Sequence, residues 1–102
     1  MSDPKRQERG GVLEKTRTET PKRYKVLIHN DDYTTMEFVI VVLTQVFKHT
    51  LPSATRLMLQ IHRTGLGVAG VYSKEIAETR LDQALSLARA SGHPLQCTME
   101  QE

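Results

Sequence analysis

Between Tyr24 and Phe47 the spacing of the apolar residues changes from one regular period to another. Tyr24, Val26 and Ile28 alternate with Lys25, Leu27 and His29, the two-residue period of a strand. Asn30, Asp31 and Asp32 stop that strand. Beyond them Met36, Val39, Ile40, Leu43, Val46 and Phe47 recur at three- and four-residue spacings, which predicts a helix to about Lys48. The run "FVIVVL" taken alone is rich in β-branched residues and would suit a buried strand. A capping box favours the helix: Thr34 stands three residues before Glu37, so its hydroxyl can accept from the Glu37 amide and the helix begins near Thr35.

The same signals continue to the end of the chain. Thr50 can cap a second helix with Pro52 in its first turn and Ala54, Leu57, Met58 and Ile61 as its apolar stripe. His62 lies at the edge of that stripe, and Gly65 and Gly67 are expected to end the helix. "VAGVYS" reads as a second strand. Ser73 caps a third helix to about Ser91, with Ala77, Leu81, Ala84, Leu85 and Ala88 inward and Gly92 and Pro94 as its stop. Leu95, Cys97 and Met99 then alternate as a third strand. The order β-α-α-β-α-β is of the α+β class, with helices covering one face of a small sheet.

Composition narrows the function. A chain of 102 residues allows one domain. The longest apolar run, Phe38 to Leu43, is far shorter than the roughly 20 residues that span a bilayer, and no apolar signal core opens the chain, so a cytoplasmic protein without a membrane partner is expected. Cys97 is the single cysteine, which excludes an internal disulfide and a cysteine-rich zinc site. Residues 1–23 hold seven Lys or Arg against four Asp or Glu, and residues 24–102 hold seven against eight. The first segment has only Val12 and Leu13 as aliphatic residues beyond Met1, too few to offset the entropy of ordering, and is expected to be a flexible tail before a domain of residues 24–102. A domain of such balanced charge is a poor nucleic-acid binder.

Several motifs fail on context. "GLGVAG", residues 65–70, matches G-x-G-x-x-G, yet the dinucleotide fingerprint needs a strand before it and a helix after it, and here the order is reversed. His29, Asp31, Asp32 and His62 could be drawn as a metal site, but Asn-Asp-Asp lacks the alternating ligands of a calcium loop and no His-x-x-x-His pair exists for zinc. No metal or cofactor is expected. Cys97 sits on a buried strand and no serine occupies a strained elbow, so nucleophilic catalysis finds no residue to carry it.

The polar cluster after the first strand remains. Asn and Asp are turn formers, and acids ahead of a helix are stabilised by its positive end, so a plain turn explains the cluster locally. A second reading follows if the first two helices form a hairpin, because His62 then returns beside Asn30 and Asp32. Those three acceptors would ring a depression walled by Val39, Met58, Ile61 and Leu95. An ammonium group loses much hydration when enclosed and needs a carboxylate together with neutral acceptors, and Asp32, Asn30 and neutral His62 are of those types.

At these residues the sequence resembles the ClpS family of bacterial adaptor proteins. The likeness runs from Tyr24 to about Glu100 and is carried by Asn30 to Val39, "LMLQIH" (Leu57 to His62), "GVYSKEIAETR" (Gly70 to Arg80) and "HPLQCTME" (His93 to Glu100). The resemblance implies three antiparallel strands and three helices, as in the C-terminal domain of the ribosomal stalk protein. It implies a monomeric, non-enzymatic adaptor that binds substrates with an N-terminal degradation signal and delivers them to a ClpA-type AAA+ unfoldase of the ClpAP protease. By the same resemblance Asn30, Asp32 and His62 hold the free α-amine. Asp31 and Thr34 shape the loop and touch the peptide, with Thr35 beside them. Met36 is a gatekeeper against β-branched first residues, and Val39, Met58, Ile61 and Leu95 line the pocket for Leu, Phe, Tyr or Trp. Glu75 and Arg80 dock the unfoldase, and the tail assists handover. Members usually carry proline where Thr35 stands, which would preset φ at the helix start. The alternative is a structural interaction domain of the stalk type that docks through its third helix and needs no pocket.

Overall fold

The computed structural model describes residues 20–102. The expected tail therefore lies outside the described residues except for its last few, and Arg23, assigned to it, already belongs to a strand. The elements run β1 (Arg23–His29), α1 (Met36–Gln45), α2 (Leu51–Thr64), β2 (Leu66–Ser73), α3 (Lys74–Ala90) and β3 (Gln96–Gln101). Order and α+β class are those expected. The strands form one antiparallel sheet in the order β2-β1-β3.

β1 is central because its inward residues are the most apolar: Val26 and Ile28 are fully buried. They join one core with Phe38, Val39, Val42 and Leu43 of α1, Ala54, Met58 and Ile61 of α2, Ala77, Ala84 and Ala88 of α3, and Leu95 and Cys97. Leu27 faces the other side of the sheet and stands outside that cluster. His29 is also on that side, where its Nε2 lies 2.8 Å from the Thr98 hydroxyl.

Three boundaries differ from expectation for physical reasons. Thr35, not Thr34, caps α1: it has extended backbone, its hydroxyl accepts from the Phe38 amide at 3.1 Å, and helical geometry starts at Met36. The cap is thus Thr35 to Phe38, and the expected Thr34–Glu37 box is replaced. α1 ends at Gln45 rather than near Lys48, because Lys48 takes a left-handed φ of 63° and the His49 amide bonds back to Leu43 O at 3.0 Å, satisfying a carbonyl of the last turn. Gly65, left-handed at φ 98°, ends α2 as expected, but Gly67 lies within β2. A Cβ at Gly67 would stand 2.8 Å from Ile61 Cγ1 and 2.9 Å from Leu57 Cδ1, so glycine here lets α2 lie close on the strand.

The α1–α2 connection is fastened to the sheet by His49. Its Nε2 contacts Ala69 O at 2.7 Å and its Nδ1 the Ser53 hydroxyl at 2.9 Å. Ala69 sits where the β1–β2 register shifts, between the Val26–Gly70 and Leu27–Val68 pairs. His49 thereby satisfies a carbonyl that the irregular edge leaves unpaired. No helix among the described residues is long and apolar enough to cross a membrane.

Candidate functional site

The site begins where β1 ends. The Asn30 amide donates to Gly65 O at 2.9 Å, tying the start of the polar loop to the cap of α2. Because the chain reverses at Gly65 and Leu66 pairs with His29, the last turn of α2 must stand beside Asn30. That turn carries His62. The hairpin geometry expected from the sequence thus has a specific cause in one left-handed glycine and one backbone hydrogen bond.

Asp31 holds the loop together. Its Oδ1 accepts from the Tyr33 amide at 2.8 Å and from the Thr34 amide at 2.7 Å, an Asx-type turn that aims the chain into the α1 cap. Burial pushes the Asp31 carboxyl up, but the Thr34 hydroxyl beside it, the Thr34 and Tyr33 amides and the charge of His93 outweigh burial and leave its pKa below the ordinary aspartate value. Asp31 Oδ2 and Thr34 Oγ1 are buried and make no well-aligned hydrogen bond.

Loop and helices enclose a cavity of ≈ 240 Å³ lined by Asn30, Asp31, Asp32, Thr34, Met36, Val39, Met58, Ile61 and His62. Its polar and apolar parts are segregated. Asn30, Asp32 and His62 are exposed at the mouth, whereas Val39, Met58 and Ile61 are buried beneath them. Met36 is 41% exposed at the rim. A depression of this construction can hold a small cationic head at its edge and an apolar group in its depth.

Two residues expected around this site do not line it. Leu95 is buried in the core just before β3, and Thr35 is engaged as the cap of α1. The pair expected on α3 is also separated. Glu75 is exposed in the first turn, while Arg80, about 140° further round the helix, turns its Nη1 to Val46 O at 3.2 Å. The Arg80 guanidinium lies 5.9 Å from the centre of the Tyr72 ring, which itself neighbours Phe47. A cation placed on the carboxyl end of α1 stabilises that end.

Sequence reasoning gave no role to His93. It follows Gly92, whose φ of 78° ends α3, and its amide bonds to Ala88 O at 2.9 Å. The imidazole stacks on Phe38 with ring centres 4.2 Å apart and planes 19° apart. Its signals in the sequence were its place directly after a helix-stopping glycine and its position at the head of the "HPLQCTME" motif.

Burial pushes the Cys97 thiol up to about 12, so it stays protonated at neutral pH. Among the described residues no group of three His, Cys, Asp or Glu could hold a metal ion, and His29 is turned to the far face of the sheet.

Residues 19–98 match the family described as ATP-dependent Clp protease adaptor protein ClpS. The ATP-dependent Clp protease adapter protein ClpS of Desulfatibacillum aliphaticivorans is 52% identical over 104 aligned positions, covering 100% of both chains. That of Maricaulis maris is 50% identical over 94, covering 90% of this chain and 86% of its own. Among solved structures, Agrobacterium tumefaciens ClpS2 bound to L-phenylalaninamide superposes with a TM-score of 0.78 at 44% identity, covering 81% of this chain and all of that one. Fold, family match and full-length identity agree, and this chain belongs to the ClpS family of adaptor proteins for the ATP-dependent Clp protease.

Proposed function

We propose that this adaptor captures proteins by their first residue and hands them to a ClpA-type unfoldase in the cytoplasm. The observation that carries this reading is the segregation of the cavity, with three hydrogen-bond acceptors at its mouth and an apolar floor. An α-amine and the side chain of the same residue are held only a few bonds apart, so a site that reads both must set acceptors beside an apolar hollow. L-phenylalaninamide, the molecule bound to the Agrobacterium tumefaciens relative, is itself a free α-amine beside a benzyl group.

In this reading Asp32 supplies the negative charge that an ammonium needs when it sheds water, and Asn30 and His62 accept hydrogen bonds from its remaining N–H groups. Asp31 and Thr34 hold the loop and face the peptide. Val39, Met58 and Ile61 receive a Leu, Phe, Tyr or Trp side chain, with Leu95 behind them in the core. Met36, at the rim, collides with a branch at Cβ. Glu75 and its exposed neighbour Ile76 form the unfoldase-docking face, with Arg80 at its border.

Magnitudes suit reversible capture. Three charge-assisted bonds and one buried side chain contribute on the order of 6 to 12 kcal/mol. Association costs at least about 4 kcal/mol. The remainder, about 2 to 8 kcal/mol, corresponds to dissociation constants from tens of millimolar down to about micromolar.

The test is a peptide series varied only at its first residue, measured with the native protein and Asp32→Ala. Leu, Phe, Tyr and Trp should bind and Ala, Val and Ile should bind poorly. Asp32→Ala should weaken all the binders by about ten- to a hundredfold, the equivalent of losing about 1.5–3 kcal/mol. Undiminished binding in the variant would favour instead a pocketless docking domain.

A further inference from the structure

We propose that Gly67, on β2 behind α2, fixes the breadth of the apolar cavity and so the largest first side chain that the cavity admits. This rests on capture by the first residue, proposed above, and adds to it the position behind the wall that tunes size selection. Gly67 pairs with Ile28 of β1, so its missing side chain belongs to the core face of the sheet, under α2. A Cβ there would stand 2.8 Å from Ile61 Cγ1, 3.5 Å from Ile61 Cδ1 and 2.9 Å from Leu57 Cδ1. Carbon atoms pack at about 3.5–4.0 Å, so a methyl at this position must displace a neighbour.

Three neighbours are available to move, and the geometry decides between them. The helix as a whole is pinned at both ends. At its start His49, beside the cap Thr50, holds Ala69 O at 2.7 Å, and at its end the Gly65 amide bonds to Ile61 O and the Asn30 amide to Gly65 O, each at 2.9 Å. Leu57 is half-buried and does not line the cavity, so it can turn towards solvent. Ile61 is 2% exposed, packed into the core cluster, and lines the cavity, so the free space open to it is the cavity itself. A methyl added at residue 67 is therefore relayed through Ile61 into a hollow of only ≈ 240 Å³. Asn30 and Asp32 stand on the loop at the mouth and not on this wall. The loss of room falls hardest on the largest side chain, on Trp before Phe and on Phe before Leu.

The test uses the full chain and peptides that differ only in beginning with Leu, Phe or Trp. Its readout is the ratio of Trp to Leu affinity, which a general loss of stability does not change. Gly67→Ala should lower that ratio by about tenfold, the lower end of what one methylene discriminates in an apolar pocket, with Phe between the two. Ile61→Val removes Cδ1 from the wall and should by itself raise the ratio. Adding Gly67→Ala to Ile61→Val should then lower it less than in the native protein, because the two positions are coupled. An unchanged ratio in Gly67→Ala, no rise in Ile61→Val, or an equally large fall in both backgrounds overturns the role of Gly67. A native protein that binds all three peptides no better than an Ala-initiated one overturns capture by the first residue itself, and the Gly67 proposal with it.

Discussion

Asp31 is the residue on which the site's shape is most concentrated, since one carboxylate oxygen orders two successive amides. Its native pKa lies below that of an ordinary aspartate, so the sign of its effect on stability is fixed. Above the unfolded value of about 3.9 the carboxylate is charged in both states and its hydrogen bonds stabilise the fold in full. As pH falls through that value towards the lower native one, the unfolded chain takes up the proton first and stability drops. Denaturant midpoints between about pH 5 and pH 3, a window around that reference value, should therefore fall more steeply for the native protein than for Asp31→Asn. Parallel slopes would remove Asp31 from this role. None of this could be read from "NDD", where three turn-forming residues stand in a row and nothing local says which one faces inward.

The elements were more legible than their ends. Periodicity located three strands and three helices because each buries one face against the same core, and Ser73, Thr50 and Gly65 capped where expected. The α1 cap was displaced by one residue since Thr34 and Thr35 have the same side chain, and only the Asp31 turn decides which is free to bond Phe38. Thr35→Ala should cost about 0.5–2 kcal/mol in chemical denaturation. Thr35→Pro loses the same hydroxyl, but the native φ of −71° already fits proline, so it should fall within about 1 kcal/mol of the native protein. Gly67 was mistaken for a helix stop because a glycine that permits close packing and one that permits a turn are identical in sequence. Gly67→Ala should destabilise by about 1–3 kcal/mol and weaken peptide binding, since the displaced Ile61 also lines the cavity. Normal binding in a destabilised Gly67→Ala would show that the cavity tolerates a shift of α2.

At the scale of the whole molecule, core and site are the same side chains seen from two sides. Val39, Met58 and Ile61 belong both to the hydrophobic cluster and to the cavity, so the pocket forms when the domain folds. Resemblance named the residues before any geometry was known, and topology explains why nine of them meet: Gly65 and β2 return His62 to the end of β1. The Arg80 contact with Val46 and the His93 stack on Phe38 depend on how α3 and the lead into β3 lie on α1, pairings separated by many residues and marked by no periodicity. Capture by the first residue stands or falls on the amine. Anisotropy titrations of two labelled peptides, both beginning with Phe and differing only by acetylation of the α-amine, should give saturable binding for the free peptide and affinity at least about tenfold weaker for the blocked one. Equal affinities would contradict an amine-reading pocket.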